Sequence, residues 1–100
     1  MHVISRKALR AFWEVAEYMD AEQPLRSWFY EAEHAEWTCF ADVKTQYGSA
    51  DYVGDGRVVF NIAGNKYRLV VRFAFEARIA FIRFVGTHEQ YDGINDISKI

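Results

Sequence analysis

The sequence predicts an α+β domain in which two N-terminal helices pack on one face of a small, mainly antiparallel sheet. Three observations point there. The C-terminal third, Val58 to Asp92, strings together three β-type runs separated by short turn signals. Ahead of them, two segments carry apolar residues at helical spacing. The 100 residues are 51% hydrophobic and 17% aromatic, enough for one modest core and little else. The chain is therefore expected to be a single domain over 1–100.

Met1 to Ile4 reads as a short strand. Ser5 is suited to N-cap a helix running to about Met19. Its Ala8, Leu9, Phe12, Trp13, Ala16 and Met19 recur at intervals that share one helical face, a stripe that belongs to a core rather than to a cofactor. Arg6, Lys7, Arg10, Glu14 and Glu17 fall on the wet side. Pro24 opens a second helix, where its missing N–H costs nothing. That helix runs to about Glu36, with Leu25, Trp28, Phe29 and Ala32 inward and Glu31, Glu33 and Glu36 outward. Trp13, Trp28 and Trp37 are read as core or partner contacts, since they lie in the acidic half. From Trp37 to Gly56 the periodicity fades. Thr38 to Tyr52 reads as an irregular loop or a short strand, with Gly48, Gly54 and Gly56 as turns. The single cysteine, Cys39, forms no internal disulfide, fits a reducing cytoplasm and reads as a small packed residue.

In the sheet, side chains alternate between faces. The turn signal Gly64-Asn65 sets Ile62 opposite Tyr67, Phe60 opposite Leu69 and Asn61 opposite Arg68. Asn65 tolerates a left-handed backbone and is a turn residue first; Lys66, at the hairpin tip, can reach a phosphate. An even-length loop near Glu76-Ala77 sets Ala80, Ile82 and Phe84 on the greasy face with Phe73, Val71 and Leu69. It sets Arg83 with Arg68 and Arg72. An odd loop would flip the third run; the even one keeps charge out of the apolar layer.

One sheet face thus collects Asn61, Arg68, Arg72 and Arg83. Arginine keeps its charge and forks onto phosphate oxygens, so the face suits phosphate; the ordinary alternative is a solvated sheet face, and the residues leave both open. His88 follows the third run, close to Tyr91 and Asp92. An imidazole has an ordinary pKa near 6.5 and exchanges protons at neutrality. His88 and Tyr91 can carry protons, Arg68 and Arg83 can meet negative charge on phosphate oxygens, and Asn61, Asn65, Lys66 and Arg72 lie where they can contact a phosphate-bearing ligand. The structural alternative has Thr87 and His88 tying the tail to the sheet, with Asp92 capping a last turn. No metal or other cofactor is expected: His2, His34 and His88 lack paired ligand spacing.

Net charge is −2, divided unevenly. Residues 1–55 hold five Lys/Arg and ten Asp/Glu, −5; residues 56–100 hold seven and four, +3. Phosphate binding needs local potential, not a basic average. Arg6, Lys7 and Arg10 interrupt any signal-peptide core, and no apolar run approaches a membrane span.

These residues also carry a family resemblance. The pieces are Val59-Phe60-Asn61-Ile62, Gly64-Asn65-Lys66-Tyr67-Arg68-Leu69, Ile82-Arg83 and Thr87-His88-Glu89-Gln90-Tyr91-Asp92, together with the opening Met1 to Leu9. They resemble the HigB-type toxins of bacterial toxin–antitoxin pairs, within the wider RelE-like ribonucleases. The resemblance implies a small sheet with helices on one side and cleavage of mRNA, usually on the ribosome, in the cytoplasm. Cleavage by the adjacent 2′-hydroxyl would then draw its proton steps from His88 and Tyr91, its phosphorane contacts from Arg68 and Arg83, and its RNA binding from Asn61, Asn65, Lys66 and Arg72. The resemblance also implies neutralisation by a cognate antitoxin encoded beside the toxin, expected as a helix-turn-helix protein. Such toxins are commonly basic overall; at −2, this chain would depend on a focused patch. The alternative is a non-catalytic module of the same fold that binds RNA or protein.

Overall fold

The computed structural model of the chain describes residues 1–100. Strands β1 (His2–Ile4), β2 (Asp51–Gly54), β3 (Arg57–Ile62), β4 (Tyr67–Ala74) and β5 (Ile79–Thr87) form one sheet in the order β1-β5-β4-β3-β2. β1 runs parallel to β5 and every other neighbouring pair is antiparallel. Helices α1 (Arg6–Trp13), α2 (Glu22–His34) and α3 (Phe40–Gln46) precede the sheet's main hairpins, and α4 (His88–Asp92) follows β5. Leu9, Trp13, Leu25, Trp28, Ala32, Trp37 and Val43 pack against Val58, Phe60, Ile62, Tyr67, Leu69, Val71, Phe73 and Ala80 in one core. The α+β class and the one-sided helical layer are as the sequence predicts. No helix is long and apolar enough to cross a membrane.

The helices depart from the sequence reading in detail. Ser5 does stand at the N-cap of α1 with extended backbone, but its hydroxyl makes no capping bond. The first helix ends at Trp13, not near Met19. Val15 is extended and the chain resumes as a 3-10 segment, Ala16–Ala21, which leaves Met19 66% exposed. The break lets Tyr18 stack on Phe12, ring centroids 4.4 Å apart, with both rings edge-on to Tyr67. On an unbroken helix, residues six apart point about 120° from each other and cannot stack. α2 starts at Glu22, so Pro24 lies in its first turn, where backbone N–H groups have no helical partner anyway. Between Thr38 and Tyr52 stand α3 and β2. α3 has two turns and buries only Val43, too little to show a period. Cys39 is exposed at its N-cap position, not packed.

The β3–β4 register matches the prediction: Ile62↔Tyr67, Phe60↔Leu69, Asn61↔Arg68. The turn places its left-handed residues at Ala63 and Gly64, not at Asn65. β4 and β5 hold the even register through Ala80↔Phe73 and Ile82↔Val71. A bulge then intervenes, and Phe84 pairs with Val70, Val85 with Leu69. Phe84 therefore leaves the greasy face for the polar one, because one extra residue inverts all that follow. Nor is the polar face bare. Val59 and Val70 on it are buried, and the C-terminal segment packs over β4, β5 and β2. There Arg57 Nε and Nη2 donate to the Ile100 carbonyl at 3.1 and 2.6 Å.

Candidate functional site

The site is built from the end of β5. Gly86 leaves no room for a side chain: a Cβ there would stand 2.5 Å from Phe84 Cζ and 2.6 Å from Gln90 Oε1. Thr87 and Gln90 then form a capping box, Gln90 N–H donating to Thr87 Oγ1 (3.1 Å) and Thr87 N–H to Gln90 Oε1 (2.9 Å). Together these bonds start α4 sharply. The His88 N–H donates to the Lys66 carbonyl at 3.2 Å, tying α4 to the β3–β4 hairpin.

α4 lays Tyr91 over Arg68, whose guanidinium carbon is 6.0 Å from the ring centroid, with the Phe84 ring at 6.5 Å. Arg68 is 8% exposed. Its Nη1 donates only to the carbonyls of Asn65 (3.0 Å) and Tyr67 (3.4 Å), so the buried cation makes no ion pair. A charge held so dry without a counter-ion favours an incoming anion. Burial raises the Tyr91 phenol pKa above the usual range, with Asp51 and Asp92 adding to the rise and Arg68 opposing it. The phenol is thus a proton donor at neutral pH. Asp51, opposite Val59 on the same face, was not singled out by the sequence. Its approach depends on β2 pairing, which no periodicity announced.

His88 stands at the start of α4, its Nδ1 2.9 Å from Asp92 Oδ2. It borders a cleft of about 240 Å³ between the hairpin tip and the 3-10 segment, with Tyr18, Lys66 and Tyr67 on its walls. A roomier hollow, about 460 Å³, lies on the helical layer around Arg10, Met19 and Arg26 and holds none of the predicted site residues. Lys66 is drawn to the helical side by an ion pair with Asp20, which also accepts from the Tyr67 hydroxyl. These two donors, Lys66 first, hold the Asp20 carboxyl below its usual range.

The remaining predicted residues spread over the face. Asn61 is exposed opposite Arg68. Asn65 is exposed in the turn. Arg72 lies directly opposite Arg57, its guanidinium carbon 5.4 Å from the Phe81 ring centroid. Arg83 is exposed at the bulge, level with Val70 and Val71 and so between Arg68 and Arg72. The structure thus brings Asn61, Arg68 and Tyr91 together at the hairpin end, sets His88 on the neighbouring cleft and leaves Arg72 apart. The rings of Phe81 and Phe84, half-buried among the arginines, were missed as functional candidates; the bulge hid Phe84. No three His, Cys, Asp or Glu side chains gather into a metal-sized group.

Comparison with known proteins gives the family. Over 38 residues the chain is 45% identical to the mRNA interferase toxin HigB of Escherichia coli (strain K12), and equally to the mRNA interferase HigB of Shigella flexneri. That stretch covers 38% of this chain and 36% of each relative, so it spans about a third of their length. Residues 21–94 match the profile of the HigB toxin, the RelE-like toxic component of a toxin-antitoxin system. Matched by that profile over well more than half its length, the chain belongs to the HigB toxin family.

Proposed function

We propose that the chain is an endoribonuclease needing no metal, an mRNA interferase that cuts mRNA on the ribosome and so stops translation. The observation that supports this reading is a buried arginine with no ion-pair partner roofed by Tyr91, on the same short helix that begins with His88. Each meets one need of 2′-hydroxyl attack. His88 Nε2 takes the 2′-hydroxyl proton, and the freed oxygen bonds to phosphorus. The Arg68 guanidinium meets the charge that builds on the phosphorane oxygens, in a dry setting where such contacts are strongest. The phosphorus–5′-oxygen bond breaks, and the leaving oxygen takes the Tyr91 phenol proton. The products are a 2′,3′-cyclic phosphate and a 5′-hydroxyl. Arg72 and Arg83, with Phe81 and Phe84 beside them, offer charge and ring faces to the flanking strand, a combination that holds single-stranded nucleic acid. Asn61, Asn65 and Lys66 add polar contacts at the hairpin.

A cognate helix-turn-helix antitoxin, made in the same cytoplasm, inhibits the toxin by docking on its acidic helical layer or by covering the arginine face. The test is cleavage of a defined mRNA by the purified chain in chelator, with and without translating ribosomes. Cleavage lost in a folded Arg68→Ala variant supports the reading. RNA binding without any cut by the wild type would make the chain a binding module.

A further inference from the structure

We infer that, on the nuclease reading above, Arg57 and Arg72 form a second phosphate site, which grips the RNA strand two phosphates away from the one that reacts at Arg68. Across β3 and β4, Asn61 faces Arg68, Val59 faces Val70 and Arg57 faces Arg72. These three rows share one side of the sheet, each two residues along from the last. The Arg57–Arg72 row therefore lies about 13 Å from the Asn61–Arg68 row. Only the outer rows carry cations; Val59 and Val70 between them are buried. An extended single strand advances from one phosphate to the next about as far as a β-strand advances in two residues. A strand laid along β4 with its reacting phosphate at Arg68 thus sets the next phosphate over the apolar row. The one after it falls between Arg57 and Arg72.

The pairing of these two arginines is unfavourable to the fold. Like charges directly opposite each other on neighbouring strands destabilise a sheet, and no carboxylate side chain pairs with Arg57, Arg72 or Arg83. Asp55 gives Arg57 only its backbone carbonyl, 2.8 Å from Nη1. Asp96 is engaged by Ser98 and Lys99, and Asp51 stands opposite Val59, in the row between. The Ile100 oxygen held by Arg57 Nε and Nη2 answers one cation at most. Both guanidiniums are nevertheless held in place and within reach. Arg57 spends three of its five N–H groups on Asp55 and Ile100, and Arg72 rests against the Phe81 ring at 5.4 Å. Each is half-exposed. A phosphate between them relieves their repulsion and takes a fork from either side. One half-exposed arginine alone would be screened by water and salt, so the clamp needs both.

The experiment uses whole proteins: wild type, Arg57→Ala, Arg57→Lys, Arg72→Ala and the Arg57→Ala/Arg72→Ala double variant, each checked by its thermal transition. Affinity for a single-stranded RNA made uncleavable by 2′-O-methyl groups is titrated against salt. Arg57→Ala should bind several-fold more weakly, with a salt dependence lower by about one ion. The double variant should lose no further ion, because both arginines serve one phosphate. Arg57→Lys, which keeps the charge, should keep the salt dependence. An unchanged salt dependence in Arg57→Ala, or a double variant that loses two ions, overturns the inference. A second arm alters the RNA and covers an Arg57→Ala that fails to fold. Phosphates of a cleavable RNA are replaced one at a time by neutral methylphosphonates. KM should rise in wild type for the replacement two phosphates from the cut, and that replacement should change nothing in Arg72→Ala. A rise confined to other positions overturns the inference. A wild type that binds but never cuts refutes the nuclease reading and leaves the salt titration to decide the clamp.

Discussion

Arg68 and Arg72 stand on one strand and one face, about 13 Å apart along it, yet they are different chemical objects. Arg68 is roofed by Tyr91, almost wholly buried, and bonded only to carbonyls. Arg72 lies half-exposed on Phe81, across from a second arginine, Arg57. Charge in the dry position acts at full strength on a nearby phosphate; charge in the wet position is screened. Under the proposed function the two ends divide the labour: the hairpin end stabilises reacting atoms, and the far end holds the strand.

The sharpest way to break that division is to remove Arg68. Arg68→Ala should lower the single-turnover cleavage rate by about a hundred- to a thousandfold with little change in RNA affinity. Arg68→Lys should recover only part of the loss, since an ammonium lacks the fork. If Arg68→Ala weakened binding and spared the rate, the two ends would be equivalent.

The roof can be disturbed without touching a charge. Gly86→Ala forces Phe84 or Gln90 to move and shifts α4. Cleavage should fall by an order of magnitude or more, and chemical denaturation should show a loss of about 1–3 kcal/mol from overpacking. Full activity in this variant would mean that the placement of Tyr91 over Arg68 is unimportant.

At the open end the effect should be smaller and of another kind. Arg72→Ala should leave the cleavage rate intact, weaken RNA binding several-fold and reduce the salt dependence of binding by about one ion. Titration of RNA affinity against salt measures this directly. A rate defect would place Arg72 among the reacting groups.

The smallest effect concerns how the hairpin end alone is tied to the helices. The Asp20 carboxyl is lowered by Lys66 and then Tyr67. A carboxyl lowered by folding adds stability above its unfolded value, about 3.9, and that contribution is lost as pH falls through the folded value. Asp20→Asn should therefore have a slightly lower Tm than wild type at neutral pH and a shallower decline below pH 4, read from Tm against pH. Parallel curves for the two proteins would show that the tie contributes nothing.

Much of this was legible from local pattern. Period-two alternation and the four-residue hairpin loop set Asn61 beside Arg68, because strand parity and loop length determine register without help from the rest of the chain. The two long helices were legible in Leu9, Trp13, Leu25, Trp28 and Ala32, whose spacing matches 3.6 residues per turn. The bulge at Arg83 was not, since an inserted residue breaks the very parity used to find it. The end of α1 at Trp13 was hidden because the stacking of Tyr18 on Phe12 rewards a contact that no helical stripe predicts.

The sequence by itself determined the α+β class, the register of β3 on β4, and the presence of arginines, a histidine and a tyrosine suited to RNA cleavage. Only the tertiary structure decided which arginine is dry, where Tyr91 rests, that the charge of Asp51 is felt at Tyr91 and that Lys66 turns to Asp20. Side-chain periodicity is local and survives in any folded context. Burial and electrostatic neighbourhood arise between segments far apart in the chain, and they exist only once those segments have packed together.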